Sequence, residues 1–141
     1  MYTGVTIPFL NAFYRIQSNK GSSNQSQGVF ETDHKKFSQN DLNLFQRTFG
    51  LTVQPAIDKY GFSNTDTCYS TKYPDLNNPD CYEGNLDLQY IMGISQNTKT
   101  YYWYQSYNNV DPYLNWITTM ANEPNPPQSN SISWGTIEQV L

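Results

Sequence analysis

Two acids four residues apart, Glu83 and Asp87, are the residues whose types and spacing could support chemistry. They lie in the segment "CYEGNLDLQY" (Cys81–Tyr90), among residues that otherwise look suited to burial. On a helix this spacing stacks both carboxyl groups on one face, with Cβ atoms about 5–6 Å apart. Two carboxyl groups crowded away from water share a proton, so one can act as a base while its neighbour orients it.

The same spacing also has a purely structural interpretation. The helix macrodipole favours acids near a helix N-terminus, and many acid pairs there have no chemical role. Around the helical wheel Leu86 and Tyr90 flank the acidic face, which indicates that the pair is partly buried. From the spacing alone, the structural interpretation is the favoured one.

The acid pair belongs to an alternating series of strands and helices. The β-prone runs are Gly28–Glu31, Leu51–Pro55, Thr100–Gln105 and Asn130–Gly135. With a helix between each pair of runs, the order becomes β-α-β-α-β-α-β. This alternation predicts an α/β fold with a parallel sheet and helices on both faces. Ligands of such sheets gather near the carboxyl ends of the strands.

Capping residues and periodicity mark the three predicted helices. Ser38 is a candidate N-cap for the first helix, and Gly50 ends it. The second helix runs from Glu83 to about Met92. Asp111 caps the third helix and Pro112 occupies its first position. The apolar positions of this third helix that show core spacing are Leu114, Ile117 and Ala121.

Composition excludes several classes of protein. A chain of 141 residues fits one ordinary domain or a piece of a larger one, and its 16% aromatic residues need a core or a ligand surface to cover them. The net charge of −4 and a single basic pair, Lys35–Lys36, argue against nucleic acid. No apolar run approaches the roughly 20 residues of a membrane span. Because the opening lacks the basic segment of a signal peptide, we interpret the chain as a mature or truncated product.

Cys68 and Cys81 frame a short loop rich in Pro and Asn. The pair predicts a disulfide that contributes about 3 kcal/mol, with two free thiols as the alternative. A disulfide would indicate a secretory or vacuolar route. Asn24-Gln25-Ser26 is a glycosylation triplet that agrees with this route, although such triplets are common by chance.

Several segments resemble one family of peptidases, the sedolisins or serine-carboxyl peptidases. "YEGNLDLQYIMG" resembles the family's E-x-x-x-D-x-Q-Y segment. The other segments that resemble sedolisins, in the same order along the chain, are "IPFLNAFYRI", "SNQSQGVFE", "FSQNDLNLFQRTFG", "YLNWITTMANE" and "SISWG". Together these matches span essentially the whole chain.

The resemblance implies a subtilisin-like α/β fold and hydrolysis of peptide bonds at acid pH, by an endopeptidase or a tripeptidyl peptidase that is secreted or lysosomal/vacuolar. Residues 1–141 would form the N-terminal portion of the catalytic domain. In the family the Glu of the motif is the general base for a serine nucleophile, so Glu83 would take its proton and Asp87 would hold Glu83. Ser133, Trp134 and Gly135 would form the strand whose backbone pairs with the peptide or protein substrate. The alternative for these three residues is an ordinary core strand.

The resemblance also implies that parts of the site lie elsewhere. Gly135-Thr136-Ile137 lacks the serine of the family's G-T-S motif. By position, the oxyanion aspartate and the calcium site would fall beyond Leu141, so no cofactor or metal is expected in this chain. We therefore expect the chain alone to be an inactive, truncated fragment that needs a C-terminal segment carrying the nucleophile. The alternative is a non-catalytic module that binds extended peptides.

Overall fold

The computed structural model describes residues 4–59, 63–65, 68, 80–106 and 111–135. Its elements, in chain order, are α1 Ile7–Tyr14, β1 Ser26–Glu31, α2 Gln39–Thr48, β2 Ile57–Lys59, α3 Asp80–Ile94, β3 Lys99–Tyr104, α4 Pro112–Ala121 and β4 Ser129–Ile132. The strands form one sheet in the order β2-β3-β1-β4, and every pairing is parallel. The α/β fold with a parallel sheet is therefore confirmed. Within the described residues, no helix has both the length and the apolar character needed to cross a bilayer.

Each face of the sheet carries its own core. Successive side chains of a strand point to opposite faces, so Val29 and Phe30 of β1 enter different clusters. The cluster under α2 and α3 consists of Val29, Phe37, Leu42, Leu88, Met92 and Tyr102. The cluster under α4 consists of Phe30, Trp103 and Trp116. The predicted helices on both faces are thus confirmed.

Helix α3 lies unusually close to the sheet and to the chain that follows β1. A methyl group at Gly84 would overlap the backbone oxygen of Lys36 and the hydroxyl of Tyr102, so the helix can approach this closely only at a glycine. The backbone N–H of Lys36 also donates to the carbonyl of Asp80 at 2.9 Å. These contacts place the first turns of α3 at the carboxyl edge of the sheet.

The predicted caps are confirmed. The Ser38 hydroxyl accepts from the backbone N–H of Asp41 at 3.1 Å, and the Asp111 carboxylate accepts from that of Tyr113 at 2.9 Å. Gly50, just beyond α2, has a φ of +65°, a conformation in which a side chain would be strained. Capping is a local property, which is why it can be predicted without tertiary information.

Two predicted elements differ in position, and one was missed. Residues 51–55 are not a strand, because Gln54 exchanges two hydrogen bonds of 3.1 Å with the side chain of Gln46 in place of a ladder. Strand β2 begins only at Ile57, after Pro55, which has no N–H to donate. Strand β4 ends at Ile132, before the predicted end. Helix α1 was not predicted.

The core face of α4 was predicted wrongly. Leu114 and Ile117 are 62% and 56% exposed. The buried residues are Pro112 and Trp116. The rings of Trp116 and of the half-buried Tyr113 contact Phe30 at centroid distances of 5.1 and 5.2 Å. Both faces have helical spacing, and the larger aromatic surface is the one that packs on the sheet.

Candidate active site

Glu83 and Asp87 occupy the first two turns of α3, and both are half-buried. The oxygen Oδ2 of Asp87 is buried and has no hydrogen-bonding partner within the part of the chain that the structure describes. One carboxylate edge is therefore turned into the protein. The two acids therefore lie on one helix and are partly buried, as predicted, although the flanking Leu86 is 51% exposed. Their catalytic role stays a prediction.

Side-chain contacts hold α3 in its orientation. The Asn85 side chain accepts from the backbone N–H of Ser38 at 2.9 Å and donates to the carboxylate of Asp41 at 2.9 Å. These bonds tie the helix to the N-terminus of α2. Because both ends of the amide are satisfied, rotation of α3 about its axis would break two hydrogen bonds.

The predicted disulfide is present. Cys68 and Cys81 are joined, with Cα atoms 5.5 Å apart, and both are buried. Cys81 lies in the first turn of α3, two residues before Glu83. The bridge therefore anchors the end of the helix that carries the acid pair.

A third acid meets the pair from the sheet. Glu31, the last residue of β1, is 0% exposed, and its Oε2 accepts a hydrogen bond of 2.9 Å from the indole N–H of Trp134. Burial raises the pKa of Glu31 to about 8; the Trp134 hydrogen bond lowers it, and the nearby charges of Asp87 and Glu83 raise it. Glu31 is therefore neutral in acid. Since Oε2 accepts from the indole, the proton belongs on Oε1, which has no partner among the described residues.

Glu31 was not predicted as a site residue. A signal was present, because an acid ends the otherwise apolar run "GVFE" where ligands of parallel sheets gather. An acid at the end of a strand is equally compatible with solvent exposure. Only the packing of α3 over β1 shows that this carboxyl group is enclosed.

A tyrosine from the neighbouring strand completes the enclosed group. Tyr102 of β3 is 0% exposed, and its hydroxyl has no hydrogen-bonding partner in the described structure. Burial raises its pKa above the ordinary value, and the charges of Glu31, Asp58 and Asp87 raise it further. Acids from β1, β2 and α3 are therefore all close enough to act electrostatically on one hydroxyl.

The three residues predicted to bind substrate follow β4. Ser133 and Gly135 are exposed, and Trp134 is half-buried with its indole directed to Glu31. Among the described strands, β4 pairs with β1 alone, so it forms one edge of the sheet. Substrate binding by this segment stays a prediction, but the indole of Trp134 already has an intramolecular partner.

The remaining predicted sites can be placed briefly. Asn24 is exposed in a turn, and its glycosylation stays a prediction. Within the described ranges, no group of three or more His, Cys, Asp or Glu side chains is arranged to hold a metal ion.

No model of a known protein family matches the chain. It is similar to tripeptidyl-peptidase 1 of Mus musculus and of Homo sapiens, with 24% identity over 152 aligned positions that cover 100% of this chain and 24% of each relative. It is also similar to tripeptidyl-peptidase 1 of Dictyostelium discoideum, with 28% identity over 131 positions that cover 90% of the chain and 20% of the relative. The chain spans about a quarter of the length of these curated relatives.

Proposed function

We propose that this chain, a distant relative of the sedolisin-type tripeptidyl peptidases over its whole length, supplies the base half of the active site of an acid-active serine peptidase. In this proposal Glu83 is the general base and Asp87 holds it in place. The observation that carries the proposal is the meeting of three acids, Glu31, Glu83 and Asp87, at the carboxyl edge of the sheet, with the inner oxygen of Asp87 enclosed.

The chemistry follows from what a carboxylate can do in acid. A serine hydroxyl contributed by another segment attacks the peptide carbonyl while its proton passes to Glu83, which later returns the proton to the departing amine. A histidine base would already be protonated at acid pH, whereas a carboxylate remains able to accept a proton.

Glu31 supports this arrangement through its own proton. Because the pKa of Glu31 is raised to about 8, its Oε1 carries a proton across the acid range and can donate toward the acid pair on α3. A neutral neighbour also adds no further negative charge to an enclosed site. Ionisation of Glu31 at alkaline pH would reverse both effects, so activity should fall there.

The substrate and the compartment are parts of the same proposal. Ser133–Gly135 would pair with an extended peptide as an added strand, since Ser133 and Gly135 are exposed beyond the edge strand β4. The disulfide and the exposed Asn24 support a secreted or lysosomal/vacuolar protein. The nucleophile and the oxyanion donor would come from a partner segment, and the chain alone would be inactive.

The decisive experiment replaces Glu83 with Gln in the full protein that carries this sequence. We expect kcat for peptide cleavage at acid pH to fall by about 10²–10⁴, with little change in KM, because the amide cannot accept the proton. Glu123→Gln is the matched control, since Glu123 pairs with Lys59 at 2.8 Å away from the acid cluster. A Glu83→Gln protein that keeps its rate would disprove the assignment of the base.

A second candidate function is a non-catalytic module that binds extended peptides. It is favoured by the exposure of Ser133 and Gly135 next to an unpaired strand edge in the described structure. Under this alternative, the full protein binds peptides but cleaves none at any pH. Glu83→Gln would then leave peptide affinity unchanged, which distinguishes the two functions.

A further inference from the structure

The hydroxyl of Tyr102 is an enclosed polar group that has no role in the proposed function. The Tyr102 ring packs against Phe37 with centroids 4.6 Å apart, and its strand neighbours in register are Val29 and Asp58. A buried hydroxyl without a partner costs about 1–3 kcal/mol. Such groups in native proteins therefore almost always bond to protein or to an ordered water.

Contact with Gly84 locates this hydroxyl. A methyl group on Gly84 would overlap it, so the hydroxyl lies against the backbone of α3, one residue after Glu83. Asp87 lies three residues further along the helix, on a neighbouring position of the same side. Its Oδ2, like the Tyr102 hydroxyl, is buried without a partner among the described residues.

Four enclosed atoms on these elements have no hydrogen-bonding partner among the described residues. They are Oε1 of Glu31, Oδ1 of Asp58, Oδ2 of Asp87 and the hydroxyl oxygen of Tyr102. The charges of Glu83 from α3 and of Lys35 from the chain after β1 act on Glu31, and the phenol of Tyr104 acts on Tyr102. Since burial and three acids raise the pKa of Tyr102, its hydroxyl keeps its proton and acts as a donor.

The hydrogen-bonding capacities of these atoms are complementary. Tyr102 and the neutral Glu31 each offer one proton, whereas the carboxylates of Asp58 and Asp87 each offer an acceptor. One water molecule accepts two hydrogen bonds and donates two, so its capacity matches the two donors and two acceptors of these four atoms. A buried water typically makes two to four such bonds to otherwise unpaired groups.

We propose that Tyr102 is a positioning residue for the acid pair, whose hydroxyl donates through one buried water to Oδ2 of Asp87. The water links β3 to the helix that carries Glu83, and Glu31 and Asp58 supply its remaining bonds. The role assigned to this water rests on the proposed function. Its existence does not, and the two can be tested separately.

The first test uses the unaltered full protein and needs no activity. A crystal structure that resolves ordered waters should show one within about 2.7–3.2 Å of both the Tyr102 hydroxyl and Oδ2 of Asp87. A hydroxyl that donates to the Lys36 carbonyl, or that bonds directly to Asp87 with no water between them, would overturn the proposal. A protein without peptidase activity that still shows this water would refute the proposed function alone.

The second test compares Tyr102→Phe with Tyr104→Phe in the full protein. Tyr102→Phe keeps the ring packing and removes only the hydroxyl, so kcat should fall about tenfold with KM unchanged, and the pH profile of kcat should move. Tyr104 belongs to the same strand, but its hydroxyl accepts from the backbone N–H of His34 at 3.2 Å. Tyr104→Phe should therefore leave kcat and its pH profile unchanged. Equal effects of the two variants, or an unmoved profile in Tyr102→Phe, would contradict a positioning role. If Tyr102→Phe does not fold, the crystallographic test decides.

Discussion

Trp134 donates its indole N–H to Oε2 of Glu31 at 2.9 Å, which joins the segment after β4 to the last residue of β1. Because of this bond, the two oxygens of the Glu31 carboxyl group differ in their hydrogen bonding. Oε2 faces the indole and Oε1 carries the proton of the neutral acid. The state of Glu31 therefore depends on Trp134 on one side and on the acids of α3 on the other.

Replacing Glu31 with Gln should change how the free energy of unfolding depends on pH. Below the ordinary pKa of 4.5, Glu31 is neutral in both states and has no effect. Between 4.5 and about 8 the unfolded state ionises while the folded state stays neutral, so stability is lost as pH rises. Gln cannot ionise. At pH values above this window, the free energy of unfolding of the variant should therefore exceed that of the parent by on the order of a few kcal/mol.

Denaturant unfolding across this pH range measures the difference. Glu123→Gln is the control, because its carboxylate is partly exposed and paired with Lys59. A parent protein whose stability is flat from acid to mildly alkaline pH would contradict the enclosed state of Glu31.

Replacing Trp134 with Phe should raise the pKa of Glu31 further. The indole hydrogen bond lowers this pKa, whereas burial and the neighbouring acids raise it. When the hydrogen bond is lost, only the effects that raise the pKa remain on this side of the carboxyl group. The unpaired oxygen should also cost about 1–3 kcal/mol of stability. Carboxyl-carbon NMR titration measures the first effect, and Trp116→Phe is the control, because the N–H of Trp116 has no partner in the described structure. An unchanged pKa of Glu31 in Trp134→Phe would refute the role of the indole.

Removing the disulfide with Cys68→Ser and Cys81→Ser should cost about 3 kcal/mol of stability, since the bridge closes a loop between residues 13 positions apart. Because Cys81 lies in the first turn of the helix that carries the acids, kcat of the full protein should fall as well. The free energy of unfolding of the parent, measured with and without reductant, tests the predicted loss of stability. The stability of the double variant should not change with reductant. Equal stability of parent and double variant would show that the helix is held by other contacts.

Gly84→Ala should destabilise the fold although alanine favours helices by about 1 kcal/mol over glycine. The added methyl would overlap the backbone oxygen of Lys36, which cannot move without shifting the chain. Gly93→Ala is the comparison, because its methyl would press on the end of the flexible Ile7 side chain. We expect a loss of about 1–3 kcal/mol at Gly84 and a smaller loss at Gly93. Thermal unfolding measures both, and a stabilised Gly84→Ala protein would be inconsistent with the close helix approach.

Local signals carried most of the correct predictions. The caps Ser38 and Asp111, the alternation of strands and helices, and the pairing of Cys68 with Cys81 all follow from residues near one another in the chain. The stacking of Glu83 and Asp87 follows from helical spacing in the same way. A backbone conformation that depends on a few neighbouring residues can be predicted from those residues.

Contacts between distant segments could not be predicted in this way. The burial of Trp116 in place of Leu114 depends on where Phe30 lies, and the bonding of Gln54 to Gln46 decides where β2 begins. Glu31 becomes a member of the candidate site only because α3 packs on β1 and Trp134 folds back onto it. A raised pKa depends on the burial and the charges that distant elements contribute, so it arises when the sheet and its helices assemble.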